Sequence, residues 1–179
     1  MEEWLNFKGE IVLRELAIKK GQKILDFGCG SGIYSLIASK IVGTEGKIYA
    51  LDNDEEPLDE LIKKIQVQNI KNIEIIKTSK EIEIPIKDNS IDIVLVYDVF
   101  HLLDKEDRIK LLKESYRILK NKTGFLSYFA THIGYHGIDL EEIQKSMENY
   151  GFKLANIFKK PMFHWSWIEE GTIYSYYKK

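Results

Sequence analysis

The chain has 179 residues, 44% hydrophobic and 30% charged, an ordinary globular composition that allows one domain with one substantial core. Its 26 basic and 28 acidic residues leave a net charge of -2, which excludes the overall positive field of a nucleic-acid binder. A single cysteine, Cys29, rules out an internal disulfide framework; the acidic start MEEWLNFKGE does not read as a secretory signal, and the most apolar stretch, 91–103, is interrupted by Asp92 and Asp98, so the expectation is a cytoplasmic protein without a membrane span.

Residues 2–20 carry Leu5, Val12, Leu13, Leu16 and Ala17 at roughly helical spacing, which reads as one helix or as two short pieces broken near Gly9, with a stop at Gly21. Ile24, Leu25 and Phe27 read as a first buried strand. Ile33, Leu36, Ile37 and Ile41 then read as a helix ended by Gly43. A second strand over 47–51 ends at Asp52, and Leu58, Leu61, Ile62 and Ile65 mark an amphipathic helix with acids at its start. A third strand over 73–76 leads into a crossover with Pro85 and an Asp88-Asn89 turn, too short for another long helix. The apolar run 91–97 is a fourth strand suited to the centre of a sheet. Asp104 caps the following helix, whose face is Ile109, Leu112, Tyr116 and Leu119. A fifth strand spans 125–130, and Asp139 with Glu142 forms a capping pair for a helix that Gly151 ends. Residues 152–158 and 172–177 are expected as an antiparallel pair joined by a loop around Pro161, with Phe163, His164, Trp165 and Trp167 clustered beneath that loop or offered as a surface. Strand and helix alternate through five strands, which predicts an α/β fold with an open, mostly parallel, doubly wound sheet and ligands at the carboxyl ends of its strands.

The chemistry concentrates in residues 23–42, KILDFGCGSGIYSLIASKIV. Gly28, Gly30 and Gly32 occupy the loop between the first strand and its helix, where glycine allows a tight turn and close approach of a ligand to the main chain. The third glycine comes one place too early for a dinucleotide fingerprint, since Ile33 stands where Gly-x-Gly-x-x-Gly requires glycine. Asp26, at the end of the strand, would repel a pyrophosphate and attract a cationic ligand.

This stretch resembles the first motif of the class I S-adenosylmethionine-dependent methyltransferases, an acidic residue, a spacer and Gly-x-Gly-x-Gly, and the order of elements over nearly the whole chain is similar to that family's. The resemblance implies a Rossmann-like seven-stranded sheet with an antiparallel C-terminal hairpin, S-adenosylmethionine as cofactor and S-adenosylhomocysteine as product. It divides the chain into an N-terminal helical segment, 1–20, a candidate lid, and a methyltransferase domain, 21–179. Onto the family's cofactor site it maps Asp26, Gly28, Cys29, Gly30, Gly32, Asp52 as the ribose ligand, Asn53 against the adenine, Ser79, Lys80 and Tyr97. Thr78, Ser79 and Lys80 stand where relatives usually carry an acid for the adenine amino group, so backbone groups and the Ser79 hydroxyl take that part. In the stretch RILKNKTGFLSYF, read as structural, Asn121 and Lys122 replace the family's proline and first glycine.

The residues 97–103, YDVFHLL, would run past the methionine end of the cofactor, which makes Asp98 and His101 the candidate catalytic residues; His101 is either a general base or a histidine packed at a helix start. His132 and His136 fall near the acceptor side, but without HExxH or a cysteine pair they read as solvated loop histidines, and no metal is expected. Cys29 reads as a small buried filler. The expected partner is a small-molecule or carrier-bound methyl acceptor, since the Asn-Pro-Pro-Tyr mark of amino-methylating enzymes is missing; neither nucleic acid nor a membrane is expected, and the oligomeric state, homodimer included, stays open. Two other readings remain: a non-catalytic sensor or partner that binds S-adenosylmethionine or its product, and a nicotinamide enzyme, against which Asp26 and the glycine spacing speak.

Overall fold

The structure is a computed structural model and describes residues 3–79, 82–135 and 138–179. A π-helical turn, Trp4–Lys8, runs directly into α1 (Gly9–Glu15). There follow β1 (Lys23–Phe27), α2 (Ile33–Val42), β2 (Lys47–Asp52), α3 (Glu55–Val67), β3 (Ile73–Lys77), β4 (Ile93–Tyr97), a 3-10 turn Phe100–Leu102, α4 (Lys105–Ile118), β5 (Phe125–Phe129), α5 (Leu140–Asn149), β6 (Phe152–His164) and β7 (Trp167–Lys178). All seven strands form one sheet in the order β3-β2-β1-β4-β5-β7-β6. The first five are parallel, and β7 is antiparallel to both β5 and β6.

The strands alternate between two cores. In β4, Ile93, Leu95 and Tyr97 face the side covered by α1 and α2, with Val12, Leu13, Ile37 and Ile41. Val94 and Val96 face the other side with Leu111, Leu112, Ile118, Ile143 and Met147 from α4 and α5. Burial on both faces is what an uninterrupted apolar run predicts for the centre of a parallel sheet. The helix starts are fixed locally: Asp54, Asp104 and Asp139 each accept a hydrogen bond from a backbone N–H in the first turn of α3, α4 and α5.

At the N-terminus one of the two readings holds, and at the C-terminus the boundaries differ from the sequence reading. The chain stays helical through Gly9, where the π-helical turn passes into α1, and the glycine serves close packing, since a Cβ there would lie 2.8 Å from Ile37 Cδ1 and 3.0 Å from the Trp4 carbonyl oxygen. The C-terminal hairpin is also much longer than expected. β6 continues through Pro161 to His164, and only Trp165 and Ser166 separate it from β7. Proline signals a loop, but β6 is the edge of the sheet, where a missing N–H is tolerated. The Pro161 carbonyl accepts a hydrogen bond from Trp4 Nε1 at 2.7 Å, so the N-terminal segment covers this edge.

Arg117 on α4 secures the crossover between β3 and β4. Its guanidinium donates to the carbonyls of Ile84 at 2.8 Å and Ile86 at 2.7 Å, and to the carboxylates of Asp88 and Glu114. Those bonds hold the Glu114 carboxyl below its ordinary pKa. Arg117→Met keeps much of the aliphatic stem and removes the fork; we expect a loss of about 2–3 kcal/mol in urea unfolding. Because Ile82, Glu83 and Ile84 line the cleft described next, ligand affinity should fall with it.

Candidate functional site

A cleft of about 340 Å³ opens at the carboxyl ends of β1, β2, β3 and β4. One wall is Phe27, Gly28 and Gly30, and the floor is Leu51, Asp52 and Asn53. Thr78, Ser79, Ile82 and Ile84 form the opposite wall, while Asp98, Val99, Leu102 and Leu103 close the far end.

The glycine loop is shaped by its neighbours. Gly28 and Cys29 donate their N–H groups to the Leu51 carbonyl at 2.8 and 3.0 Å, Gly32 donates to the Cys29 carbonyl, and Gly30 donates to Asp52 Oδ2 at 2.7 Å. Gly28 has φ +72°, and a Cβ there would meet Val99 Cγ2 at 2.6 Å; Gly32 has φ +78°, and its Cβ would collide with Leu61. Both positions therefore demand glycine for conformation and for space. At Gly30 a Cβ would meet nothing within 4 Å. That glycine faces the cleft, so its lack of a side chain leaves room for a ligand to approach the backbone.

Asp52 accepts N–H bonds from Gly30, Asn53 and Asp54. A carboxylate has about four acceptor positions, so it is held rigidly and still has capacity for a hydroxyl. Asp26 is only 2% exposed and lies beneath the loop, not on the cleft wall. Its Oδ2 accepts a hydrogen bond from Ser35 Oγ at 2.6 Å. Burial, reinforced by the charge of Asp52, pushes its carboxyl pKa up to about 6. Cys29 is buried with its thiol pKa pushed up by desolvation, which fits a filler. Tyr97 does not face the cleft: its ring packs edge-on against Tyr34 and Phe129, and its hydroxyl lies 2.8 Å from Ser127 Oγ in the core. Asn53 and Ser79 line the cleft, and Lys80 and His136 lie outside the described residues.

Beyond Asp98 the site continues into a second group of side chains. Asp98 Oδ1 lies 3.7 Å from His101 Nδ1, 3.4 Å from His132 Nε2 and 3.1 Å from His164 Nε2. His132 is therefore not a solvated loop histidine; its side chain is 15% exposed and its ring lies 4.0 Å from that of His101, centroid to centroid. His164 comes from the end of β6, a residue the sequence reading placed only in an aromatic cluster. Trp165 and Trp167 flank it and are 61% and 46% exposed, so the two indoles present a surface while Phe163 and His164 are buried. Asp98, His132 and Trp165 all take positive φ, between 53° and 57°, a conformation that costs non-glycine residues about 1 kcal/mol or more each.

The match to a methyltransferase domain covers residues 24–122, more than half of the chain. The chain belongs to the class I S-adenosylmethionine-dependent methyltransferase family. Its structure is similar to that of a SAM dependent methyltransferase from Aquifex aeolicus, with TM-score 0.78 and 25% identity over 97% of this chain and 91% of that one. In sequence it is 33% identical to the demethylmenaquinone methyltransferase of Geobacillus stearothermophilus over 109 residues, 61% of this chain and 45% of that protein. The enzyme of the same name from Listeria welshimeri is 28% identical over 96% of this chain and 73% of that protein. The chain thus spans less than half the length of the first of these relatives.

The elevated Asp26 pKa gives this member of the family a testable pH response. A folded-state pKa above the ordinary 3.8 means a stabilising contribution that is full below that value and lost as pH rises through about 6. Above this window, and without a cation nearby, the charged carboxylate costs stability. Asp26→Asn should therefore raise ligand-free stability at pH 7, by up to about 3 kcal/mol, and show little gain near pH 4 in denaturant titrations. A cationic ligand selects the ionised form, so S-adenosylmethionine affinity should fall about tenfold from pH 7 to 5 in the native protein and lose that dependence in the variant.

Proposed function

We propose that the protein transfers the methyl group of S-adenosylmethionine to a small aromatic acceptor bearing an ionisable hydroxyl, which enters beside Asp98, Trp165 and Trp167. The observation that carries this reading is the continuity of the site: a cleft framed by the glycine loop and Asp52 ends at Asp98, where three histidines and two exposed tryptophans gather. The residues fit the cofactor. Open space over Gly30 admits a ligand against the backbone, Asp52 is preorganised to receive the ribose hydroxyls, and Thr78 and Ser79 bring polar groups to the wall assigned to the adenine.

When bound, S-adenosylmethionine supplies an electrophilic methyl on a sulfonium, which an acceptor lone pair takes in line as S-adenosylhomocysteine departs. The protein's share is mainly alignment, worth on the order of 7–11 kcal/mol for well-placed reactants. Asp26 adds a buried negative charge beneath the loop that favours the cationic substrate over the neutral sulfur of the product. Asp98 and His101, with His132 and His164 around them, would take up or disperse the proton that a hydroxyl acceptor must lose. The indole faces of Trp165 and Trp167 suit a flat ring. The N-terminal segment is a cover for this side: Trp4 packs on Tyr34 and Phe163, next to His164.

The relatives named demethylmenaquinone methyltransferases support a quinone-like ring as the acceptor. Incubating the protein with S-adenosylmethionine and separate phenol, reduced naphthoquinone, amine and thiol acceptors, and following S-adenosylhomocysteine by mass spectrometry, should give turnover with the hydroxylated aromatics. Tight S-adenosylmethionine binding without transfer to any of them would favour the sensor reading.

A further inference from the structure

The side chains around Asp98 come from four places at one end of the sheet. Asp98 follows β4, His101 sits in the 3-10 turn after it, His132 follows β5, and His164 ends β6. Three imidazole nitrogens lie 3.1, 3.4 and 3.7 Å from a single carboxylate oxygen, and the candidate ligand atoms of Asp98, His101 and His132 are all within 4.8 Å of one another. Ligand atoms bound at about 2.0–2.1 Å around a tetrahedral zinc ion stand about 3.3–3.4 Å apart. All four side chains are largely buried, between 7% and 16% exposed.

Hydrogen bonding does not account for the close approach of Asp98 and His164. Asp98 Oδ1 and His164 Nε2 approach within 3.1 Å, yet among the described residues neither makes a hydrogen bond. Short separation without donor–acceptor alignment is what two lone pairs show when both aim at a third point. The orientation of His164 is set from outside: its Nδ1 lies 2.9 Å from Glu169 Oε1, and Glu169 Oε2 accepts from Trp167 Nε1 at 3.1 Å. A proton held on Nδ1 by that carboxylate leaves Nε2 as the bare nitrogen, the carboxylate–histidine pairing typical of metal-ligating imidazoles.

We propose that Asp98, His101, His132 and His164 bind one divalent first-row transition-metal cation of the zinc type, with Glu169 orienting His164. Three imidazoles and one carboxylate suit such ions and not magnesium or calcium, which take all-oxygen shells. No short motif joins the four ligands, so nothing in their spacing sets them apart as a metal site. The site rests on these residues alone for its existence. It rests on the methyltransferase reading for its use, since Asp98 also ends the cleft: with the ion bound these four side chains no longer take up the acceptor's proton, and the cation's charge beside the cleft would favour the ionised acceptor, its proton passing to solvent.

The test uses the untagged full-length protein, freed of metal with a chelator and titrated with Co2+ by visible absorption, then with Zn2+ against a chromophoric chelator. One ion per chain is expected, with the intense visible band of a low-coordinate cobalt site that Zn2+ abolishes. His132→Ala and His164→Ala should each weaken Zn2+ binding at least about 100-fold, and the milder Glu169→Gln about 10- to 100-fold. Circular dichroism melts of all three establish that they fold. Failure of the native protein to take up a stoichiometric ion, or uptake unchanged in both histidine variants, would overturn the site. S-adenosylhomocysteine titration of the same proteins reports the cleft separately: cobalt binding without S-adenosylhomocysteine binding would sink the methyltransferase reading and leave the metal site standing.

Discussion

The glycine loop after β1 exists in its observed shape because β2 and α3 hold it from outside. Leu51 and Asp52 at the end of β2 receive the N–H groups of Gly28, Cys29 and Gly30, and Lys64 of α3 donates to the Ser31 carbonyl. Leu61 of α3 fills the space where a side chain at residue 32 would go. Three N–H groups that could have pointed at a ligand are therefore engaged within the protein. The loop presents shape and open backbone more than a ring of donors, and the Gly30–Asp52 hydrogen bond ties that shape to the residue that the resemblance assigns to the ribose.

The parallel sheet turns this local device into a site. Because β1, β2, β3 and β4 run the same way, their carboxyl ends deliver the glycine loop, Asp52, Thr78 and Asp98 to one edge. The reversal at β7 lets β6 run alongside in the same sense as β5, which brings His164 to that edge too. A long hairpin at the border of the sheet thus reaches the site, and the Trp4–Pro161 hydrogen bond fastens the N-terminal segment over it.

Most of this was legible in the sequence where a rule depends on near neighbours. Buried strands showed as apolar runs, Asp104 and Asp139 announced their helices, and the glycine spacing with Asp26 and Asp52 identified the family's cofactor loop. Legibility failed where tertiary context decides. Pro161 reads as a loop until its strand is known to lie at an edge. Tyr97 follows the strand end in the motif, yet strand alternation turns its side chain into the α1–α2 core. His132 and His164 looked unrelated because their proximity depends on the order β5-β7-β6.

The measurement that tests the central claim most directly is a crystal structure of the protein soaked with S-adenosylhomocysteine. The account predicts the ribose on Asp52, the adenine against Thr78 and Ser79, and the sulfur end of the ligand directed towards Asp98 over Gly30. A ligand bound elsewhere, or one whose sulfur points away from Asp98, would contradict it.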